Sequence, residues 1–350
     1  MKTVLAVCKN VGGANALLPV MDLLKANYRI RWIVQDDGRA KDVLKSLGYE
    51  FDLFLSVERV YKEDIIAIVS GMCATVGQAL SRHFKGLYPV ITIQDQWGAY
   101  LGDVWSDPEH RPDYILVNDQ LDKDIVLKTW FPYESKKVVI TGYPALDKYA
   151  NLDVQSVRKR VKNVLSIKDN RPVVLFTGQW WHTGHAIGEL VKALNEIKLD
   201  VYLIARPHPA MKDNASEEIP LWDRALTEFH SGTLIDSSCC DTFDIITASD
   251  LVISMYSATL QEAATIKIPN IAILYLNQGM KKYIEVTRMD NYPMVSLGCT
   301  AKAGNYEELV RLLKTALTSD LGLRPAQEEA FSLDGKNALR AADFISSLVT

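Results

Sequence analysis

Short apolar runs of strand length alternate with longer amphipathic segments along nearly the whole chain, and this alternation restricts the possible folds more than any other feature. The runs are almost continuous in Val, Ile and Leu, which is typical of parallel strands covered by helices on both faces. Strand, helix and strand follow one another repeatedly, which predicts doubly wound parallel sheets. The runs occupy 3–9, 30–36, 52–57, 64–71, 89–95, 113–119, 136–142, 171–178, 200–209, 232–238, 250–256 and 270–276.

The segments between these runs predict the helices and the domain boundaries. Helical spacing of apolar residues is found at 15–27, 40–48, 185–197, 257–267, 305–318 and 335–348. The polar segment around 145–170 predicts a linker with one helix, and a length of 350 residues suits two domains of about 150 residues each. We therefore expect an α/β protein with two Rossmann-like doubly wound domains that face each other across a cleft. The predicted boundaries are 1–150, a linker at 151–170, a second domain at 171–335, and a C-terminal helix at 336–350 that packs back on the first domain.

Charge and hydropathy exclude several classes of protein. The net charge is −4, so the chain lacks the basic footprint of a general nucleic-acid binder. No apolar run approaches the roughly 20 residues of a membrane span, and Lys9 and Asn10 follow the first apolar run too early for a signal peptide. We expect a cytoplasmic protein. The basic run at 158–162 suits either peripheral contact with the anionic inner face of the membrane or a solvated helix face.

The cysteines and histidines predict neither a disulfide framework nor a metal site. Five cysteines without a Cys-x-x-Cys pair argue against both, and Cys8 and Cys73 lie in apolar runs as core residues. His182 and His185 have the spacing of a metal pair, but no third ligand is evident. The adjacent pair Cys239 and Cys240 has no assigned chemistry at this point.

In the first half, two loops that follow strands carry candidate residues, because ligands of doubly wound sheets bind at the carboxyl ends of the strands. Gly12 and Gly13 lead into a helix whose free amides suit an anion or a sugar hydroxyl, although a tight turn explains the two glycines equally well. The full Gly-x-Gly-x-x-Gly pattern of NAD or FAD sites is absent. Gln94, Asp95 and Trp97 follow the fifth strand, where Asp95 is either a general base or a helix cap.

The loop after the first strand of the second half combines aromatic and imidazole side chains. Gly178 permits close approach of a ligand, and Trp180, Trp181 and His182 follow it. The tryptophans suit stacking on a base or on an acceptor. Packing of aromatic side chains between the domains explains them equally well.

The most informative stretch is Arg206-Pro-His208-Pro209, directly after an apolar strand. Two prolines restrict the backbone as it leaves the sheet. Arg206 can donate two hydrogen bonds to a phosphate and His208 one more, which suits the charge that develops on a diphosphate leaving group. A purely structural histidine is the alternative.

A second phosphate-binding pattern follows the strand at 250–256. Tyr256 ends the strand, Ser257 is an N-cap candidate, and Thr259 lies in the first helical turn, where amides and hydroxyls suit phosphate oxygens. Glu262 lies about one turn further on and could accept both hydroxyls of a ribose. Simple capping and a solvated helix face are the alternatives.

These motifs together resemble the GT-B glycosyltransferase fold, and in particular the CDP-glycerol glycerophosphotransferase and capsule-polysaccharide transferase group. His208 and Pro209 match a His-Pro motif that binds a cytidine nucleotide in similar bacterial sialyltransferases, and Ser257 and Thr259 fall at the Ser-rich motif, interrupted by Ala258. The sequence has Gln94-Asp95-Gln96 where that group usually has Gln-His-Gly, so Asp95 would have to replace the histidine as the base. The likeness to UDP-GlcNAc 2-epimerases concerns the fold alone.

The resemblance and the motifs together predict a glycosyltransferase of glycan or cell-surface polysaccharide synthesis. It would use a UDP- or CMP/CDP-linked sugar, without a metal or another cofactor, and a glycan or a lipid-linked acceptor. Asp95, Arg206 and His208 are the predicted catalytic residues. The donor-binding residues would be Gly178, Arg206, His208, Pro209, Tyr256, Ser257, Thr259 and Glu262. The acceptor-binding residues would be Gly12, Gly13, Gln94, Trp97 and His182.

The alternatives are a glycerol-phosphate transferase or a nucleotide-sugar epimerase on the same fold, and a nucleotide-sugar-binding protein without catalytic activity. The donor, the acceptor, the stereochemical outcome and the oligomeric state stay open.

Overall fold

A computed structural model of the chain forms two compact units. It describes residues 1–60, 64–72, 75–95, 97, 103–179, 182–208, 211–287, 289, 291–331 and 333–349. Unit 1 comprises Met1–Ala150 with Val286–Arg288 and Leu333–Thr350, and unit 2 comprises Asn151–Glu285 with Met289–Ser332. Some residues named above lie outside the described part of the chain, namely Cys73, Gln96, Trp180, Trp181 and Pro209.

Unit 1 contains a seven-stranded parallel sheet within the described residues. Its order is β3-β2-β1-β4-β5-β6-β7, so the winding direction reverses between β1 and β4. Every residue of β1 is buried, which explains the apolar composition of this strand. The strands are β1 Thr3–Cys8, β2 Arg29–Val34, β3 Asp52–Leu53, β4 Ile65–Gly71, β5 Val90–Ile93, β6 Tyr114–Val117 and β7 Val138–Ile140.

Helices cover both faces of this sheet. On one face, Val76, Leu80 and Phe84 pack against Leu5 and Val7 of β1 in a buried core. On the other face, α1 packs against α16 and the 3₁₀ helix Pro144–Tyr149. The helices of unit 1 are α1 Val11–Leu24, α2 Ala40–Ser46, α3 Val57–Val60, α4 Thr75–Phe84, α5 Gln120–Thr129 and α16 Asn337–Val349. Further 3₁₀ helices are Asp103–Ser106, Pro108–His110 and Ser135–Lys137.

The last helix, α16, belongs to unit 1. The Asp147 carboxylate accepts hydrogen bonds from the backbone N–H groups of Asn337 (3.0 Å) and Ala338 (2.7 Å), so it caps the first turn. Arg340 Nε donates to the Thr141 carbonyl at 2.9 Å. Asp147 and Arg340 therefore attach this helix to the segment that follows β7.

Unit 2 repeats the architecture with a six-stranded parallel sheet. The order is β10-β9-β8-β11-β12-β13, and the direction of winding reverses between β8 and β11. The central strands β8 and β11 are buried throughout. The strands are β8 Val173–Thr177, β9 Val201–Arg206, β10 Gly232–Leu234, β11 Leu251–Ser254, β12 Asn270–Ile273 and β13 Ala301–Ala303.

The helices of unit 2 surround a core formed by α7, α9 and α14 with the strands. Phe176, Leu190, Trp222 and Leu309 are among its buried members. The helices are α6 Val154–Val164, α7 Gly184–Ile197, α8 Met211–Asn214, α9 Ile219–Thr227, α10 Thr242–Ala248, α11 Ala258–Thr265, α12 Asn277–Thr287 (which ends in unit 1), α13 Pro293–Ser296, α14 Tyr306–Thr318 and α15 Arg324–Ala330.

The helix predicted within the linker, α6, packs on unit 2 through its basic residues. Arg158 forms an ion pair with Asp250 at 3.0 Å, and Arg160 forms one with Asp244 at 2.7 Å. Lys162 lies 3.7 Å from Asp250. Three of the four cationic side chains in the basic run therefore bind acidic partners of unit 2.

Among the local features that differ from the sequence-based expectation are the start of α1 and the strand β13. The helix after β1 begins at Val11, so Gly12 and Gly13 lie in its first turn rather than in a preceding loop. β13 was not predicted, because the sequence Ala-Lys-Ala is short and only partly apolar and lies at the sheet edge. None of the helices in the described residues is both long enough and apolar enough to span a bilayer.

Candidate functional site

Three hydroxyl groups join the carboxyl ends of β8 and β11 in unit 2, at the point where the winding direction reverses. Thr177 ends β8, and its Oγ1 lies 2.6 Å from Thr259 Oγ1. Thr259 Oγ1 also lies 2.9 Å from Ser257 Oγ. Parallel sheets of this type bind ligands at that position. The cluster therefore contains the two residues predicted from the sequence, Ser257 and Thr259. Its third member, Thr177, was not predicted.

Two further hydroxyls hold this segment in place. Ser254 Oγ donates to the Thr177 carbonyl at 2.6 Å, and Tyr292 OH donates to the Ser257 carbonyl at 2.7 Å. Ser254 is fully buried at the end of β11. Sequence reasoning missed both residues. A buried serine that ends an apolar strand was the available signal for Ser254, whereas Tyr292 lies in an irregular segment and gave none.

The N-terminus of α11 starts directly at this hydroxyl cluster. Ser257 is the N-cap, and its Oγ accepts a hydrogen bond from the Thr259 backbone N–H at 3.3 Å. The first turn carries no acidic side chain. Glu262 and Tyr256 are both half-buried beside it. Free backbone amides and hydroxyls at a helix N-terminus are suited to binding an anion such as a phosphate.

Arg206 ends β9 and is held by a neighbouring loop. Its Nη1 donates to the carbonyls of Ser237 (2.8 Å) and Cys240 (3.0 Å). Among the residues that the structure describes, Nε and Nη2 have no acceptor, so these two N–H groups can meet a phosphate. His208 lies two residues further on and is exposed. The predicted pair thus lies at the same end of the sheet as the hydroxyl cluster.

The sequence predicted that a ligand approaches Gly178 closely, but in the structure side chains of the protein occupy this space. A Cβ on Gly178 would stand 2.5 Å from Trp222 Cζ2 and 3.2 Å from Thr183 Oγ1. Trp222 is buried, and its Nε1 donates to Thr183 Oγ1 at 3.2 Å. Packing of this indole accounts for the glycine without a ligand.

His182 is held in place by a buried carboxylate that sequence reasoning missed. Glu218 accepts hydrogen bonds from the backbone N–H groups of His182 and Gly184, both at 2.5 Å, and is 5% exposed. Gly184 begins α7, so the N-terminus of this helix already holds an anion of the chain. Of the two helices that follow β8 and β11, only α11 has its first-turn amides without such an internal carboxylate among the described residues.

In unit 1, Asp95 and Gly12 lie against each other. A Cβ on Gly12 would stand 2.5 Å from Asp95 Oδ2, and one on Gly71 would stand 2.8 Å from the Gly13 Cα. Asp95 is 6% exposed. Gly12 and Gly71 cannot carry a side chain, because the first turn of α1 passes so close to the ends of β4 and β5. The structure thus brings together three residues, Gly12, Gly13 and Asp95, that the sequence assigned to one site.

Buried amide side chains lie at the same edge of this sheet. Gln94 is fully buried, and neither its Oε1 nor its Nε2 has a hydrogen-bond partner among the described residues. The same holds for both polar side-chain atoms of Asn118. Gln94 follows the last residue of β5 and Asn118 follows the last residue of β6, and these two strands are neighbours in the sheet. Unpaired buried polar groups cost about 1–3 kcal/mol each, so a ligand or water that pairs them is favoured.

Trp97 connects this edge to a carboxylate that sequence reasoning also missed. Trp97 Nε1 donates to Asp119 Oδ2 at 3.1 Å, and Asp119 Oδ1 accepts from the Asp122 backbone N–H at 2.8 Å. Burial raises the pKa of the Asp119 carboxyl, although these hydrogen bonds act in the opposite direction. The signal was present in the sequence, because Asn118 and Asp119 form a polar pair directly after an apolar strand.

The described residues contain no group of three or more His, Cys, Asp or Glu side chains that could hold a metal ion.

Comparison with known families gives one match. The model of the family described as CDP-glycerol:poly(glycerophosphate) glycerophosphotransferase matches residues 94–346, which is more than two thirds of the chain. The match begins at Gln94 and includes all of unit 2. The sequence matches none of the curated proteins.

Solved structures with the same fold include polymerases and epimerases. A variant of the wall teichoic acid polymerase TagF soaked with CDPG has a TM-score of 0.64 and 17% identity, covering 99% of this chain and 88% of its own. UDP-GlcNAc 2-epimerase from Neisseria meningitidis bound to UDP-GlcNAc has a TM-score of 0.69 and 13% identity, covering 99% and 100%. S. aureus MnaA with UDP has a TM-score of 0.69 and 16% identity, covering 99% and 96%. At these identities the likeness establishes the GT-B-like fold.

Proposed function

The chain belongs to the CDP-glycerol:poly(glycerophosphate) glycerophosphotransferase family, and from this premise we propose that it transfers glycerol phosphate from a CDP-linked donor to a hydroxyl of a cell-surface polymer. The sequence favoured transfer of a sugar and kept glycerol-phosphate transfer as an alternative. Family membership supports the glycerol-phosphate alternative, and a nucleotide-linked transferase of cell-surface polymer synthesis is common to both.

The observation that carries the proposal is the hydroxyl cluster of Thr177, Ser257 and Thr259 at the N-terminus of α11. It offers hydroxyls and first-turn amides at one point, which is the combination that phosphate oxygens require. Half-buried Glu262 lies one turn along the helix, where a carboxylate can accept from the two hydroxyls of a ribose. The structure soaked with CDPG belongs to a protein of the same fold, which supports a cytidine nucleotide.

Arg206 and His208 are the proposed cationic partners of the pyrophosphate. The Arg206 guanidinium is held through Nη1, so its direction is set before a ligand arrives and its other N–H groups need not reorganise. These donors and the dipole of α11 are groups that can stabilise the developing charge without a metal ion.

The acceptor would bind to unit 1 at Gln94, Asp95 and Asn118. The buried amides of Gln94 and Asn118 offer both donors and acceptors, which matches the hydroxyl-rich chain of a polyol phosphate. Asp95, which is almost fully buried, would accept the proton of the attacking hydroxyl. Trp97, 6% exposed and oriented by Asp119, would pack beside the acceptor.

The proposed reaction balances as a single displacement at phosphorus. The acceptor oxygen forms a bond to the β-phosphorus of CDP-glycerol and its proton passes to Asp95. The bond from that phosphorus to the bridging oxygen breaks, and CMP leaves with the bridging oxygen and its charge, next to Arg206 and His208. Transfer of a sugar would instead break a carbon–oxygen bond and release CDP.

The test is to incubate the protein with CDP-glycerol and a poly(glycerol phosphate) primer and to identify the released nucleotide. We expect CMP together with primer extension, and we expect His208→Ala to lower the rate at least ~tenfold with an unchanged melting temperature. Pro207 and His208 are exposed, so the fold should tolerate this substitution.

Other products would overturn the proposal in recognisable ways. Release of CDP from a CDP-sugar with transfer to the primer would indicate a glycosyltransferase. A sugar isomer formed without acceptor would indicate an epimerase. Tight nucleotide binding without turnover would indicate a binding protein.

A further inference from the structure

The adjacent cysteines of unit 2 lie in the loop that holds Arg206. Cys239 is exposed, Cys240 is half-buried, and their sulfur atoms lie 3.7 Å apart. We propose that Cys239 and Cys240 form a reversible disulfide, and that its formation releases Arg206 and weakens nucleotide binding. The disulfide itself is independent of the proposed function, whereas the effect on nucleotide binding rests on it.

The two sulfurs are already close, so the bond needs an approach from 3.7 Å to about 2 Å. The backbone opposes this closure. Neighbouring Cα atoms lie about 3.8 Å apart across a trans peptide, below the usual range of about 4.4–6.8 Å in disulfides. The ring must therefore distort the peptide between the two residues. Strained and exposed disulfides are easily reduced, which makes this pair suitable for a reversible change rather than for structural cross-linking.

The distorted peptide lies next to both acceptors of Arg206. The Cys240 backbone N–H belongs to that peptide and donates to the Ser237 carbonyl at 3.1 Å. Arg206 Nη1 donates to the same Ser237 carbonyl (2.8 Å) and to the Cys240 carbonyl (3.0 Å). Distorting this peptide displaces the Cys240 N–H from the Ser237 carbonyl. The accompanying change in the backbone angles of Cys240 also turns the Cys240 carbonyl, which belongs to the following peptide. Arg206 then loses the contacts that set the direction of its guanidinium.

The chemistry assigns different roles to the two thiols. Cys239 is exposed whereas Cys240 is half-buried, and burial raises the pKa of the Cys240 thiol, so an external disulfide reaches the Cys239 thiol first. With a disulfide such as oxidised glutathione, the Cys239 thiolate forms a mixed disulfide and releases one glutathione. Cys240 then attacks the Cys239 sulfur and releases the second glutathione. Two thiols lose two protons and two electrons, and one glutathione disulfide becomes two thiols.

The test compares the full chain with its Cys239→Ser variant before and after treatment with oxidised glutathione. We expect the wild-type peptide that contains both residues to lose about 2 Da, with recovery on reduction. The affinity for CDP, measured by calorimetry, should fall about tenfold on oxidation, as expected for loss of a charge-assisted phosphate contact. Cys239→Ser should bind CDP like the reduced wild type and should not respond. It retains Cys240 and the three cysteines outside the pair, Cys8, Cys73 and Cys299, so it controls for oxidation elsewhere.

The results test the disulfide, its link to Arg206 and the proposed function separately. A stable glutathione adduct on Cys239, or no mass change, would exclude the disulfide. A disulfide that leaves the CDP affinity unchanged would exclude the link to Arg206. If the reduced protein does not bind CDP, the proposed function fails, while the mass measurement still decides whether the disulfide forms.

Discussion

Asp95 and Gly12 leave no room for a side chain between them, since even a Cβ on Gly12 would come within 2.5 Å of Asp95 Oδ2. The contact joins the first turn of α1 to the end of β5. It fixes the carboxylate at the edge of the sheet where the side-chain amide atoms of Gln94 and Asn118 are buried without hydrogen-bond partners among the described residues. The position of the proposed base therefore depends on a glycine more than 80 residues away in the sequence.

The substitution Gly12→Ala should displace Asp95 and lower the rate of transfer about tenfold or more, because small displacements of a catalytic group are costly. CDP affinity should not change, since the nucleotide is proposed to bind to unit 2. Alanine is favoured over glycine inside a helix, so little stability should be lost. Gly188→Ala is the matched control, because a Cβ there meets nothing within 4 Å. An unchanged transfer rate in Gly12→Ala would remove Asp95 from the mechanism.

The substitution Thr259→Ala should weaken CDP binding about fivefold to tenfold. It removes the hydroxyl that lies 2.6 Å from Thr177 and 2.9 Å from Ser257, and one hydrogen bond contributes about 1 kcal/mol. Titration calorimetry measures this, and Thr259→Ser should restore most of the affinity. The control is Thr227→Ala, whose exposed hydroxyl only donates to the carbonyl of Asp223. Equal affinities for both alanine variants would count against the hydroxyl cluster as the nucleotide site.

The substitution Glu218→Gln should lower the free energy of unfolding by about 1–3 kcal/mol. The carboxylate accepts two hydrogen bonds at the N-terminus of α7, and a neutral amide replaces charge-assisted bonds with weaker ones. Urea unfolding measures the loss. The exposed Glu217 next to it provides the control, because Glu217→Gln should change stability little. A wild-type unfolding curve for Glu218→Gln would show that the capping charge contributes nothing.

The substitution Asp119→Asn should reduce the dependence of stability on pH. Burial raises the pKa of Asp119 above the ordinary 3.8, so the folded state binds a proton more tightly than the unfolded state does. The wild type therefore loses stability as pH rises from the ordinary value through the raised one. Asparagine keeps the N-cap of α5 and can still accept from Trp97. The prediction would be contradicted if the free energies of unfolding of the two proteins differed by the same amount at every pH from 4 upward.

The substitution Arg158→Ala should destabilise unit 2 by about 1–2 kcal/mol. It removes a partly buried ion pair with Asp250 and hydrogen bonds to the carbonyls of Thr247 and Ser249. Lys159→Ala is the control on the same helix, since Lys159 is exposed and has no ion pair among the described residues. Melting temperatures separate the two. Equal melting temperatures, together with loss of binding to anionic vesicles in both variants, would instead favour the membrane-contact alternative.

The strands could be predicted because burial on both faces demands continuous apolar runs. β1 at Thr3–Cys8 and β8 at Val173–Thr177 both lie within their predicted ranges. The predictions ran too long at the ends, as at 200–209, where β9 stops at Arg206. The polar residues that follow a strand are part of the site rather than of the sheet, and periodicity does not distinguish the two.

The site could be predicted less completely than the strands, because several of its contacts come from distant or irregular segments. Asp95 and Gly12 could be assigned to the same site, since both follow strands of one sheet. Glu218, in contrast, lies in a short 3₁₀ turn 34 residues after Gly184, where no periodicity indicates its role. Thr177 looks like an ordinary strand residue, and only its neighbours in space identify its hydroxyl as part of the cluster.

Asp147 caps a helix, α16, that is synthesised long after Asp147 itself. Its partner Asn337 lies 190 residues later, and the whole of β8 to β13 is made between them. Unit 2 is therefore a continuous insertion for most of its length, whereas unit 1 is closed by the C-terminal helix. During synthesis, unit 2 can complete its sheet while one face of α1 still lacks its cover. The cover that α16 provides for α1 therefore cannot form until a segment that follows every strand of unit 2 has been synthesised.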